Sequence, residues 1–206
     1  MIPGKALVLE CPFCGAKKKL ISLESGNTFG GKLWSDTKGE YPMLPEPSPI
    51  QKCPGCGKYY FIDQAKSSEG DECSFEKGEL SYDELKQARC QFENSFDINS
   101  KTGYKQVLYI ELLYAYNDAF TRSDSSSELS NEDVLYFTGV VNELLSSDCT
   151  DPILKGELLR ELGRFDESVE HLKELQKDNP DMRWVIDPIV NHALQKDKNP
   201  FVIPQE

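Results

Sequence analysis

The sequence predicts an α+β fold that is mostly α, with a small β-rich segment in the first third and paired helices after it. Three observations carry that expectation. Cysteines recur as two matched pairs, Cys11-Pro-Phe-Cys14-Gly and Cys53-Pro-Gly-Cys56-Gly, each bordered by short β-type runs. From Ser81 onward, apolar residues return every three or four positions behind helix-capping residues. The charge also shifts: residues 1–66 hold nine lysines against six acids, and residues 67–206 hold 14 basic and 29 acidic groups.

Each cysteine pair is a tight turn that aims two sulfurs at one point. Gly15 and Gly57 allow the backbone to fold back in a left-handed conformation that a side chain would hinder. Four thiolates close a tetrahedron around Zn²⁺ at about 2.3 Å per bond, so Cys11, Cys14, Cys53 and Cys56 are the expected ligands of one structural zinc. The spacer of 38 residues (15–52) exceeds the roughly 15–20 usual for such ribbons. A long insertion accommodates it, because each doubling of loop length costs only about 0.6 kcal/mol. A full set of sulfur ligands leaves no open position for water or substrate, which argues against a catalytic metal. Thiol exchange at the C-x-x-C pairs is the competing chemistry.

Residues 1–66 are expected to form this zinc ribbon, with residues 67–80 as a polar, acidic linker and residues 81–206 as the helical part. Lys5–Glu10, Lys18–Leu23 and Lys58–Ile62 read as its strands. So small a piece buries too little apolar surface to be safely stable alone, and the metal supplies the deficit. Lys17-Lys18-Lys19 is a basic cluster that suits nucleic acid or an acidic partner, but three lysines more simply make a solvated strand edge. The insertion is rich in Gly, Pro and aromatics. Phe29, Trp34, Tyr41 and Met43 are expected to cover the turns as a mini-core, with Trp34 and Tyr41 alternatively offering a surface to a partner.

Ser81-Tyr-Asp-Glu84 is a capping box, followed by Leu85, Ala88, Phe92 and Phe96 on one face. Tyr104–Thr121 is apolar nearly all round, as befits a helix at the centre of the core. A flexible loop is expected over residues 123–128. Ser130 caps a third helix with a stripe of Val134, Phe137, Val141, Leu144 and Leu145.

The stretch Asp151–Pro180 resembles a tetratricopeptide repeat. Gly156 and Leu159 match the first helix of that motif, Gly163-Arg-Phe-Asp-Glu its turn, and Leu172, Leu175 and Pro180 its second helix and terminator. Ser168 stands where the family prefers Ala. One such unit cannot bury its own face, so the resemblance implies degenerate repeats upstream and a closing helix downstream. Met182–Leu194 supplies that helix, with a possible break at Pro188 and Trp184 packed on the preceding pair. The arrangement is similar to bacterial proteins that join a zinc ribbon to tetratricopeptide-like helices, and the likeness brings no particular activity with it.

The 206-residue chain carries a formal net charge of −12, with 38% hydrophobic and 28% charged residues. That composition is ordinary for a soluble protein. No run approaches the ~20 apolar residues of a membrane span, and Met1–Lys5 does not read as a signal peptide. Seven cysteines, four in metal-type pairs, suit a reducing, cytoplasmic setting, with Cys73, Cys90 and Cys149 left over as ordinary thiols. The acidic excess disfavours duplex binding by the whole chain. His171 and His192 have no neighbouring ligand or nucleophile, and no phosphate-cradling glycine loop or hydrolase signature appears. The expected role is therefore not enzymatic: an interaction or adaptor protein that takes a basic peptide or partner protein on its helices, with no membrane. A nucleic-acid-associated ribbon is the first alternative and a thiol oxidoreductase the second.

Overall fold

The computed structural model describes residues 1–95, 103–122, 129–148 and 150–204. Phe96, the loop at 123–128 and Cys149, all named above, lie outside the described residues. Small antiparallel sheets precede helices, as the α+β expectation requires. Contacts divide the chain into a ribbon unit, Met1–Gly31 with Glu40–Leu108, and a helical unit, Lys32–Gly39 with Tyr109–Glu206.

In the ribbon unit, β1 (Ile2–Pro3) pairs with β4 (Leu23–Ser25). Strands β2 (Leu7–Glu10) and β3 (Lys17–Leu20) form the hairpin around the first cysteine turn, in the register Leu7↔Leu20 to Glu10↔Lys17. After β5 (Lys32–Leu33) and β6 (Gly39–Glu40), β7 (Ile50–Lys52) and β8 (Tyr59–Phe61) form the hairpin around the second turn. The other edge of β2 receives β9 (Lys66–Glu69), giving the order β3-β2-β9. Residues 67–69, expected to open a linker, thus belong to a strand on the edge of β2. The basic run of β3 lies on a sheet edge.

The ribbon core consists of Leu9, Leu20, Tyr60 and two of the cysteines, Cys11 and Cys53. Helix α1 (Tyr82–Ser95) packs against β8. Phe61 stacks on Phe92 at 4.8 Å, and Gln91 holds both the N–H and the carbonyl of Tyr59. The capping box is present: Glu84 N donates to Ser81 Oγ at 3.3 Å and Ser81 N to Glu84 Oε2 at 3.1 Å.

Helix α2 (Tyr104–Phe120) is covered nearly all round, and every residue in it except Asp118 is buried or half-buried. In the helical unit, α3 (Asn131–Ser146) starts at Ser130, whose Oγ accepts from Asp133 N at 3.1 Å. Its buried stripe is Phe137, Val140, Val141 and Leu144; Val134, expected in it, lies in the first turn and is exposed.

Helices α4 (Pro152–Glu161) and α5 (Phe165–Asp178) form a tight hairpin. Gly163, at φ 78°, makes the turn in a left-handed conformation that favours glycine. Gly156 sits so close to α5 that a Cβ there would lie 2.4 Å from the Leu172 side chain. Ser168, fully buried at the same crossing, donates from Oγ to the Gly156 carbonyl at 2.7 Å. Its hydroxyl thus finds a partner at the crossing of the two helices. Helix α6 (Arg183–Leu194) continues through Pro188 rather than breaking. Trp184 is 48% exposed, not packed on the preceding pair; Val185, Ile186, Ile189 and Val190 occupy the inward face instead.

Residues 32–39, expected to help cover the cysteine turns, belong to the helical unit. Leu33 packs on the core of Leu172, Ile186, Ile189 and Ile203. Trp34 bridges to Val202 and lies under the Arg122 guanidinium, 4.6 Å from the ring centroid. Ser35 exchanges hydrogen bonds with Phe201 and donates to Glu157 Oε1 at 2.5 Å. Asp36, wholly buried, accepts from Asn117 at 2.8 Å and pairs with Arg122. Glu157 also pairs with Arg160, which is itself fully buried. Thr37 takes φ 73°, strained for a β-branched residue, and hydrogen-bonds Tyr114 at 3.1 Å. No aromatic mini-core forms, and Phe29 is 79% exposed. Polar partners in the helices outcompeted the apolar cover that local composition suggested.

Candidate metal centre

The two cysteine turns are built alike. In the first, Gly15 N donates to Cys11 O at 3.0 Å and Cys11 N to Ala16 O at 2.9 Å. In the second, Gly57 N donates to Cys53 O at 3.0 Å and Cys53 N to Lys58 O at 2.9 Å. Gly15 and Gly57 close them at φ 74° and 72°. Each hairpin thus carries its pair of sulfurs at the tip, held by main-chain bonds that need no particular side chain.

The four sulfurs lie within 4.8 Å of one another. Cys14 and Cys53 approach to 3.5 Å, and Cys11 and Cys56 to 3.9 Å. A tetrahedron with bonds of about 2.3 Å has edges of about 3.8 Å, so the spacing fits one ion shared between the turns. These two approaches each join one turn to the other, as sharing an ion between the turns requires. Gly55 completes the cradle: a Cβ there would meet Ala16 at 2.8 Å and the Cys14 sulfur at 3.5 Å.

Main-chain N–H groups already point at sulfur. Phe13 N reaches Cys11 Sγ at 3.4 Å, while Gly55 N and Cys56 N reach Cys53 Sγ at 3.3 and 3.4 Å. Burial pushes the Cys53 thiol up, but those two N–H groups and the neighbouring thiols outweigh it and bring the thiol down to about 6. Cys11, also buried, is pushed up to about 12, chiefly by desolvation and with the neighbouring thiols adding to the rise. Cys11 and Cys53 are buried, whereas Cys14 and Cys56 are exposed.

The sequence reading missed two supports of this site. Tyr60 is fully buried beside the sulfurs, its hydroxyl pushed up to about 12 by burial and then by the cysteine charges. Its signal was the unbroken aromatic run Tyr59-Tyr60-Phe61, all three of which are buried. Lys58 lies over the Phe13 ring at 4.9 Å, so the residue after the second turn covers the aromatic of the first.

The residues expected to touch a partner are divided between the two units. Lys17, Lys18 and Lys19 are in the ribbon unit, where Lys18 pairs with Glu76 at 3.5 Å and Lys19 with Glu72 at 3.6 Å. Tyr41 is half-buried in the same unit, against Gly31. Trp34 belongs to the helical unit. Among the described residues no helix is long and apolar enough to cross a membrane. Set against known protein families, curated proteins and solved structures, the chain matches none of them, and the four converging sulfurs remain the firmest guide to its chemistry.

Proposed function

We propose that the protein is a non-enzymatic, cytoplasmic adaptor whose ribbon is held by one structural zinc and whose tetratricopeptide-like helices take a basic peptide or partner protein. Four sulfur donors give zinc its preferred tetrahedron and leave no place for substrate. The observation that carries the partner reading is an open groove across α3, α4 and α5. Leu145 and Leu159 give it an apolar floor, and Glu170 and Glu174 stand one turn apart on its wall. Neither carboxylate has an ion-pair partner among the described residues, whereas Glu167 is taken by Arg164. A segment with lysine or arginine beside an apolar side chain complements that lining.

Nucleic acid at Lys17–Lys19 ranks second, because two of those lysines are engaged by glutamates. Thiol exchange ranks third, because all four sulfurs converge on one point, as a shared ion asks and exchange within one pair does not need. The test is peptide-array binding to the full chain, followed by titration at low and high salt. Basic, apolar-containing peptides should bind, weaken with salt, and lose at least about tenfold with Glu170→Lys and Glu174→Lys combined. Preference for acidic peptides, or binding indifferent to both salt and the substitutions, would reject the reading.

A further inference from the structure

Residues 32–39 sit in the middle of the span that the metal cysteines bracket. Cys14 precedes them and Cys53 follows them, yet their contacts place them in the helical unit. The neck of this excursion is narrow and belongs to the ribbon unit. Asn27 N donates to Met43 O, and Gly31 lies so close to Tyr41 that a Cβ would come within 2.4 Å of the ring. Beyond the neck, Ser35 and Asp36 are 1% and 0% exposed among Glu157, Asn117, Arg122 and the chain at Phe201.

We propose that metal occupancy at Cys11, Cys14, Cys53 and Cys56 governs the order of the helical unit through this segment, making the protein a metal-responsive switch. With the ion in place, the ribbon holds both ends of the 15–52 span together and presents residues 32–39 as a short, closed loop. Without it, the same residues must find Glu157, Asn117 and Arg122 from a longer, open chain, at a closure cost of about 0.6 kcal/mol for each doubling of its length. When Ser35 and Asp36 leave, Glu157 and Arg122 each lose one buried partner and keep Arg160 and Asp118 respectively, and buried charges with fewer partners are less well tolerated. Metal loss is therefore felt at α2, α4 and the segment around Phe201, and not in the ribbon alone.

The chain carries its own probe, since both of its tryptophans, Trp34 and Trp184, belong to the helical unit. Trp184→Phe, a change at an exposed position, leaves Trp34 as the single reporter. The full-length variant is loaded with zinc, then stripped with a chelator. Trp34 emission should move to the red, acrylamide quenching should rise severalfold, and amide exchange in residues 109–122, 150–162 and 197–203 should quicken at least about tenfold. Restored zinc should reverse all three. Ser35→Ala in the same background should shrink the chelation response, because the docked segment is already loosened.

Unchanged Trp34 emission and exchange confined to the ribbon would overturn the switch while leaving the metal site standing. Failure to bind zinc stoichiometrically would overturn both. An equal chelation response with and without Ser35→Ala would show that the signal bypasses residues 32–39 and would also reject the inference. None of these readings depends on whether a peptide binds the groove.

Discussion

The two units solve the same problem with different materials. The ribbon core counts two cysteines among its five fully buried members, while the cluster joining α5 and α6 is built from Leu172, Val185, Ile186, Ile189, Val190 and Ile203. A core made partly of thiols gains little from burial, since sulfur needs a cation to make those contacts worth their order. The helical unit's core is aliphatic, and a separate set of buried charges fixes residues 32–39 within that unit.

The largest expected effect separates the two materials outright. Removing the ion, or replacing Cys11 or Cys53 with Ser, should forfeit the ~10–16 kcal/mol that a structural zinc supplies to a small module. Elemental analysis should find one zinc per chain beforehand, and amide exchange should report unfolding of residues 1–25 and 45–69 afterwards. Retained protection there would mean the ribbon stands without its ion.

Next comes Arg122→Ala, which strands the buried Asp36 carboxylate. Breaking a buried pair from one side costs about 3–5 kcal/mol, to be read by denaturant unfolding, and zinc content should stay at one. Gly156→Ala should cost about 1–3 kcal/mol, because the new methyl meets Leu172 at the α4–α5 crossing. A thermal shift of the helical transition measures it, and an unchanged melting point would refute the close approach.

The smallest effect is a matter of slope. Burial, and then the charges of Glu157 and Asp36, hold the Glu161 carboxyl well above its ordinary value. The folded chain thus keeps a proton that the unfolded chain releases. Stability from this group is complete below the unfolded value of about 4.3 and is lost as pH rises toward the folded one. Glu161→Gln should flatten that decline, as seen in unfolding curves between pH 4 and 8.

What the sequence disclosed was the part governed by near neighbours. The turns at Cys11–Gly15 and Cys53–Gly57, and the caps at Ser81 and Ser130, are completed within a few residues, and each stands where its pattern indicates. Ser168 and Gly156, small residues in the sequence, meet at the α4–α5 crossing. The destination of Trp34-Ser35-Asp36 was illegible. Those residues read as a turn because their partners, Asn117, Glu157 and Phe201, are more than 80 positions away. Aromatic content likewise promised a mini-core that Phe29 and Trp34 do not make, since composition says nothing about which distant surface competes for a side chain. Val134 and Trp184 show the same limit at helix ends, where periodicity persists but cover does not.

The uneven exposure of the sulfurs has a kinetic consequence. Cys14 and Cys56 face water while Cys11 and Cys53 face protein, so a competing ligand can approach the ion from one side only. Exchange should then run through a half-released species anchored by the inner pair, with a rate proportional to competitor concentration. Small, penetrating chelators should strip the ion faster than bulky ones of equal affinity.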